Sequence, residues 1–125
     1  MTKVEARSLF IHKLGWLIRI AEDLGILFLI TCFHRSDKEQ AQLYKEGKSK
    51  VVHSQHQDWL AVDIVLINRC GELVWEHKAG DDYERLGDAW KKGHRCARWG
   101  GDFGRTDERL GWDPYHFELA KEILV

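Results

Sequence analysis

The chain has 125 residues, 44% of them hydrophobic, and a formal net charge of −1 at pH 7. This length allows one compact domain with a single core and leaves too little chain for a second stable one. Because positive and negative charges nearly balance, the net charge gives no reason to expect binding to nucleic acid or to a membrane surface. We therefore expect one domain over residues 1–125, working as a monomer because nothing in the composition demands an oligomer.

The first half of the chain carries clear signals for helices and strands. Apolar residues at three- and four-residue intervals predict an amphipathic helix over residues 4–23, ended by Gly25. The run ILFLITC predicts a buried strand. Ser36, with Glu39 three residues later, forms a capping box for a second helix that ends at Gly47. AVDIVLI predicts the next strand, which NRCG turns into ELVW as a hairpin.

The second half continues the alternation of helices and strands. A third helix is predicted from Asp81 to Gly93, where an Asp cap and a Gly stop bracket YERLGDAWKK. CARWGGDF predicts a strand up to its glycine pair, and DPYHFEL predicts a short final strand. This order predicts an α+β fold, with about three helices flanking a mostly antiparallel sheet.

The cysteines and the hydropathy of the chain indicate the cellular compartment in which the protein is made. The three cysteines, Cys32, Cys70 and Cys96, form no Cys-x-x-Cys pair, which argues against a disulfide framework and suits a reducing cytoplasm. The N-terminal helical pattern is interrupted by charges and lacks the apolar core and cleavage site of a signal peptide. No segment reaches the roughly 18 to 20 apolar residues that a membrane span needs. We therefore predict a protein made in the cytoplasm and not inserted in a membrane.

The segment HSQHQDWLAVD crowds imidazoles and carboxylates beside an apolar strand. A catalytic zinc ion needs three protein ligands, usually His with a carboxylate, and an open fourth position. His56 and Asp63 bracket the turn into the second strand, and a sheet can bring His116, on the last strand, beside them. Because an unpaired carboxylate inside an apolar run is costly to bury, Asp63 needs a partner such as a metal.

Asp113 lies three residues before His116 at the entrance to the last strand. Pro114 breaks the regular strand there and keeps Asp113 extended. A carboxylate in this position could take a proton from water, as a general base must. The ordinary alternative is that Asp113 only caps the turn before Pro114.

Three motifs together resemble a known family. They are S-x-H-x4-A-x-D entering a strand, then W-G-G-D-F, then D-x-x-H-F-E. These motifs are similar to those of a family of zinc peptidases. The family includes bacterial D-alanyl-D-alanine carboxypeptidases and the L-alanyl-D-glutamate endopeptidases of bacteriophage lysins. The matching positions are Ser54, His56, Ala61 and Asp63, then Trp99 to Phe103, then Asp113, His116, Phe117 and Glu118, with Arg35 and Gln40 upstream. The resemblance covers about residues 26–120.

The resemblance implies roles for most of these residues. His56, Asp63 and His116 would be the zinc ligands, and Asp113 the catalytic base. Arg35 could hold a substrate carbonyl oxygen or carboxylate through its planar fork, or simply form an ion pair near a helix start.

For three further polar residues the sequence leaves alternative roles open or predicts a structural role. Ser54 is a substrate-binding candidate whose alternative is to cap a turn. Gln40 is a second such candidate, whose alternative is to fix Arg35 from the helix. For Glu118 we expect a salt bridge.

Two departures from the family pattern bear on the shape of the cleft. Trp59 stands where Gly is frequent, and Tyr115 where Pro is more usual next to the last His. Neither removes a ligand. Many members have Glu in place of Asp113, whereas the endopeptidase branch commonly has Asp, which favours that branch.

The resemblance thus implies a zinc endopeptidase that cuts the L-alanyl-D-glutamate bond of the peptidoglycan stem peptide. As a phage endolysin, it would accumulate in the host cytoplasm and reach the periplasm and cell wall through a holin. One alternative is a D,D-carboxypeptidase or dipeptidase on the same scaffold. Another is a non-catalytic zinc-containing binding module, which would not need Asp113. The basic runs KEGKSK and KKGHRCAR contain or adjoin acids and are expected to be solvated faces, not nucleic-acid sites.

Overall fold

The computed structural model describes residues 1–124. Its helices and strands follow the predicted order: α1 (Lys3–Asp23), β1 (Leu27–Cys32), α2 (Asp37–Lys45), β2 (Ala61–Ile67), β3 (Leu73–Val74), α3 (Asp82–Lys92), β4 (Ala97–Trp99) and β5 (His116–Leu119). Short 3-10 helices, which the sequence patterns did not reveal, cover Gln55–Asp58, Gly100–Asp102 and Lys121–Leu124. The predicted α+β class is confirmed.

The sheet has the strand order β1-β2-β5-β4, and the short β3 also pairs with β2. Every pairing is antiparallel, as predicted. Because β5 lies between β2 and β4, Asp63 of β2 is directly opposite His116 of β5. In the same way Glu118 of β5 is opposite Arg98 of β4. The sheet therefore aligns charged residues from three strands in one region.

The helices begin where their capping residues predicted. Ser36 and Glu39 form the expected reciprocal capping box at α2, and Asp81 accepts a hydrogen bond from the backbone of Glu84 at the start of α3. Gly25 follows the end of α1 and has a φ of +70°, in the left-handed region that glycine adopts without a steric penalty. These local signals fix the helix boundaries before any packing is considered.

One face of the sheet packs against α1 and α3 to form the core. Its buried members include Phe10, Leu14, Leu17, Leu86, Trp90, Val62, Ile64, Leu66, Phe117 and Leu119. Alternate residues of a strand point to opposite faces. Asp63, between Val62 and Ile64, therefore points away from this core, toward the other face of the sheet.

The prediction that β1 is a buried strand was wrong. β1 is an edge strand, and Leu27, Leu29 and Ile30 are 65%, 50% and 43% exposed. A short apolar run signals a strand but does not tell whether the strand lies at the centre or at the edge of its sheet. Within residues 1–124, no helix combines the length and apolar character that crossing a bilayer requires.

We expect Gly15→Ala to raise the free energy of unfolding by about 0.5–1 kcal/mol, because glycine in the middle of a helix costs backbone entropy. Gly15 is exposed within α1, and an added Cβ would meet nothing within 4 Å. Urea unfolding measures the change. The matched control is Gly87→Ala in α3, whose Cβ would lie 2.2 Å from the Trp99 ring and should destabilise the fold. A lower urea midpoint for Gly15→Ala would contradict this account of α1.

Candidate metal centre and cleft

An open cleft of about 1030 Å³ brings together most of the residues singled out from the sequence. Its walls include Arg35, Ser54, His56, Asp63, Asp113 and His116. The residues come from the loop after β1, the 3-10 helix before β2, β2 itself and the approach to β5. The sheet register brings them together although they are far apart in the chain.

Asp63 lies between two histidines at the base of this cleft. Its Oδ1 is 3.2 Å from Nε2 of His56 and 3.3 Å from Nδ1 of His116. The two imidazole rings are 5.0 Å apart between centroids and inclined at 72°. His56 is 1% exposed and His116 is 7% exposed. The structure therefore brings the three predicted ligands together around one carboxylate oxygen.

The other ring nitrogen of His56 is held by β1 and the residue that follows it. Nδ1 lies 3.4 Å from the carbonyl oxygen of Phe33 and 3.7 Å from Sγ of Cys32. Since a carbonyl oxygen can only accept a hydrogen bond, Nδ1 is the protonated nitrogen in this contact. His56 consequently presents Nε2 to Asp63, which is the nitrogen available for a metal.

Sequence reasoning missed Cys32 as a neighbour of the site. The potential ligand atoms of Cys32, His56 and Asp63 lie within 4.8 Å of one another, as do those of Asp63, Asp113 and His116. Cys32 contacts Nδ1 of His56, the nitrogen that also faces the Phe33 carbonyl. Cys32 therefore supports the imidazole ring on the side away from Asp63. The hydrogen bond with His56 lowers the pKa of the Cys32 thiol. Only the β1–β2 register, which pairs Cys32 with Asp63, could have revealed this contact.

The half-buried carboxylate of Asp63 changes the proton affinity of both histidines. Burial is the largest single influence on the pKa of His56 and would lower it, but the hydrogen bonds to Asp63 and Cys32 and the charge of Asp63 together outweigh burial and raise the pKa to about 9. Burial is likewise outweighed at His116, where Asp63 and Glu118 raise the pKa to about 10. The two imidazoles in turn hold the pKa of Asp63 well below its usual range, although burial opposes them. In metal-free protein the two buried histidines and the half-buried Asp63 therefore form an ion-pair cluster.

Asp113 comes close to this cluster because a glycine lets two backbones touch. A Cβ on Gly100 would lie 2.0 Å from the carbonyl oxygen of Asp113, so no other residue fits without moving one of the two segments. The backbone of Asp113 donates to Gly100 and accepts from His116, at 3.3 Å and 3.1 Å. Burial, with the negative charge of Asp63, raises the pKa of the Asp113 carboxyl to about 6. A proton acceptor at neutral pH thus lies beside the ligands.

Arg35 enters the cleft beside Asp63, and Gln40 holds it from behind. The guanidinium donates to Oε1 of Gln40 at 2.8 Å, and its Nη2 lies 3.9 Å from Oδ2 of Asp63. Gln40 is fully buried and donates to Ser49 Oγ and to the Val51 carbonyl. Of the two expectations for Gln40, the structure supports the one in which it fixes Arg35, because the side chain has no exposed surface for a substrate.

Ser54 performs the capping role that was its alternative. Its Oγ accepts the backbone N–H of His56 at 3.2 Å, and its own N–H donates to the side chain of Gln57 at 2.8 Å. This reciprocal pair starts the 3-10 helix that carries His56. Ser54 also lines the cleft, but its hydroxyl is already engaged in orienting the backbone of a ligand.

The geometry explains the two departures expected to alter the cleft. Trp59 has a φ of +62°, the left-handed conformation for which glycine is the ordinary residue, and its ring stacks on His34 with centroids 4.1 Å apart. The Tyr115 ring packs against Trp75 and Tyr83 with centroids 5.7 Å and 5.2 Å away. Neither Trp59 nor Tyr115 is among the residues of the cleft wall.

Comparison with known proteins gives a consistent result. No family profile matches the chain. It is 31% identical over 99 residues to the peptidoglycan L-alanyl-D-glutamate endopeptidase CwlK of Bacillus subtilis (strain 168), an alignment covering 68% of this chain and 59% of that protein. Its fold is similar to the crystal structure of the Serratia marcescens L-Ala D-Glu endopeptidase ChiX, with a TM-score of 0.65 and 26% identity over 87% of this chain and 80% of that one.

The chain is therefore similar, in sequence and in fold, to L-alanyl-D-glutamate endopeptidases. Both similarities support the peptidase family that the motifs indicated. The chain spans 59% of the length of the curated relative. Peptidases of that family depend on a metal ion, and the cleft of this chain holds a cluster of residues able to bind one.

We expect the free energy of unfolding of the metal-free protein to fall as the pH rises from about 6.5 toward 9. A histidine whose pKa is raised by folding stabilises the fold fully at a pH below 6.5, its pKa in the unfolded chain. The stabilisation is lost as the pH rises through its pKa in the folded protein, which is about 9 for His56. Asp63, with its lowered pKa, contributes above its ordinary value of 3.8 and loses stability only in acid.

Urea midpoints measured with a chelator at pH 6 and pH 9.5 test this expectation. His56→Ala should weaken the dependence, whereas His12→Ala, on the exposed face of α1, should retain it. A wild-type midpoint that is the same at both pH values would rule out the ion-pair cluster.

Proposed function

We propose that the protein is a zinc endopeptidase that hydrolyses the L-alanyl-D-glutamate bond of peptidoglycan stem peptides. The observation that carries the proposal is the meeting of His56, Asp63 and His116 around one oxygen, with the half-buried carboxylate of Asp113 beside them. The relatives CwlK and ChiX are L-alanyl-D-glutamate endopeptidases, which supports the choice of bond.

The donor set and spacing fit zinc. Two imidazole nitrogens and a carboxylate are a ligand set of catalytic zinc sites, which keep a fourth position open. Tetrahedral ligands about 2.0 Å from zinc lie about 3.3 Å from one another. The separations of 3.2 Å and 3.3 Å from Asp63 to the two histidines match that value. In this proposal His56 binds through Nε2, Asp63 through Oδ1 and His116 through Nδ1.

Zinc bound by these residues supplies Lewis-acid chemistry, which acidifies a water molecule and polarises the carbonyl of the scissile bond. Asp113 accepts the proton of that water as general base and later returns it to the leaving amine, a role that its raised pKa of about 6 suits. Arg35, fixed by Gln40 at the edge of the cleft, stabilises the negative charge that develops on the carbonyl oxygen.

We extend the proposal to the biological setting of the enzyme. The lysin-like motifs and the Asp at position 113 support an endolysin of a phage or prophage. It would accumulate in the host cytoplasm, pass through a holin and act on the cell wall as a monomer, without binding nucleic acid or inserting into a membrane. The stem peptide would lie in the open cleft, where Arg35, Lys48, Lys50, Arg98 and Lys121 offer cationic partners for its carboxylates.

The deciding experiment is mass spectrometry of purified Gram-negative sacculi digested with the protein, with and without a chelator. We expect new amino termini on D-Glu that the chelator abolishes. Release of free D-alanine would instead identify a D,D-carboxypeptidase. Stoichiometric zinc without any cleavage would identify a non-catalytic binding module.

His56→Ala should abolish both zinc binding and cleavage, because it removes a ligand that no neighbouring residue replaces on the Nε2 side. His53→Ala is the matched control in the same segment, since His53 contacts Asp58 and not the metal cluster. Zinc content by mass spectrometry and cleavage of sacculi are measured on both. Full activity in His56→Ala would refute the ligand assignment.

Asp113→Asn should keep zinc but lower kcat by about 10²–10⁴-fold, the usual contribution of a general base. The amide is close in size to the carboxylate, so the fold and the metal affinity should change little. Steady-state kinetics on a soluble stem-peptide fragment and zinc titration measure the two effects separately. An unchanged kcat would leave Asp113 with only a capping role.

Gly100→Ala should lower kcat by as much as about 10²-fold, because a shift of about 1 Å in a catalytic group can cost that much. The added Cβ would push on the backbone of Asp113 and move the base away from the ligands. Zinc affinity, measured in parallel, should fall far less than kcat. Equal losses in both would indicate general distortion of the site.

A further inference from the structure

Two histidines are candidate ligands. Among the residues that the structure describes, His116 has a carboxylate beside each of its two ring nitrogens, whereas His56 has a carboxylate beside only one. Nδ1 lies 3.3 Å from Asp63 and Nε2 lies 2.7 Å from Oε1 of Glu118. Glu118 is 7% exposed, and a carboxylate so deeply buried is costly unless it is paired. It is two residues after His116 on β5, so both side chains lie on the same face of the sheet.

The second oxygen of Glu118 faces the neighbouring strand. Oε2 lies 3.8 Å from Nη1 of Arg98, the residue directly opposite Glu118 in the β4–β5 pairing. Arg98 also lies over the ring of Phe103, at 5.0 Å, and that ring packs beside His116. The salt bridge expected for Glu118 is thus present, but the shorter contact of the same carboxylate is with the imidazole.

The two oxygens of the Glu118 carboxylate have different partners and different roles. An ionised carboxylate only accepts hydrogen bonds, so the contact at 2.7 Å keeps the proton of a neutral His116 on Nε2. Nδ1 then carries the lone pair and faces Asp63. His56 is oriented differently, because its outer nitrogen donates to the uncharged carbonyl of Phe33. Only His116 has an anionic outer partner, which raises the electron-donating power of the ring.

We propose that Glu118 is a positioning residue of the metal centre: it selects the His116 tautomer that binds through Nδ1, while Arg98 holds Glu118 in place. The inference rests on the proposed zinc site. It assigns to the last residue of the D-x-x-H-F-E motif a role in metal affinity instead of only in sheet stability.

Glu118→Gln tests the proposal. The amide keeps the size of the side chain but can donate to Nε2, which would favour the tautomer whose Nδ1 is protonated. We expect zinc to bind about 10–100-fold more weakly, the usual effect of losing an outer partner of a metal-binding histidine. Competition with a chromophoric chelator at pH 7 measures the affinity, and the visible absorption spectrum of the cobalt-substituted protein reports the ligand geometry without any turnover.

The matched control is Glu122→Gln, because Glu122 also lines the cleft but is exposed and follows β5. It should bind zinc like wild type. The urea midpoint of each metal-free variant separates folding from binding, since a purely structural Glu118 would lower the midpoint and leave zinc affinity unchanged. Wild-type zinc affinity in Glu118→Gln would overturn the inference.

A measurement on the wild-type protein keeps the test valid if the variant fails to fold. The ¹⁵N spectrum of the histidine rings in the zinc-loaded enzyme should show His116 protonated at Nε2 and coordinated through Nδ1. Coordination through Nε2 would overturn the inference while leaving the proposed function standing. Failure of wild type itself to bind zinc would refute the proposed function instead.

Discussion

The pairing of β2 with β5 is the constraint on which the site depends. It sets Asp63 opposite His116 across a separation of 53 residues in the chain. A slip by one residue would turn either side chain to the opposite face, toward the helices. Neighbouring apolar residues prevent that slip, because Val62 and Phe117 must enter the core on the other face. The hydrophobic core therefore fixes the position of the polar cluster to within one residue.

Much of this arrangement could be predicted from the sequence, because many of its signals are local. The capping residues of α2 and α3, the bounds of β2 and the presence of three helices follow from patterns a few residues long. The family motifs add what local patterns lack, since they associate His56 and Asp63 with His116 without any knowledge of the sheet. The candidate ligands could be named for that reason, even though their spacing alone carries little information.

Other features depend on contacts that no short pattern encodes. The edge position of β1 and the approach of Cys32 to His56 follow from strand order and register. The two oxygens of Glu118 find different partners because Arg98 happens to be opposite on β4. Gln40 shows a similar limit: its place in the motif indicates importance, but only its complete burial behind Arg35 separates positioning from substrate contact.

The residues around the cleft also show how one cluster can serve two states. Without a metal, Asp63 is neutralised by imidazoles that keep their protons, so the fold holds an ion pair where it would otherwise hold an unpaired, half-buried charge. A metal ion must displace those protons, and its binding energy has to exceed the loss of the ion pair. The Phe33 carbonyl and Glu118, which contact the outer nitrogens of the two rings, would influence this competition. Because the Phe33 carbonyl and Glu118 already occupy the outer nitrogens in the metal-free protein, only the inner nitrogens would exchange a proton for a bound metal, and the rings would not need to turn.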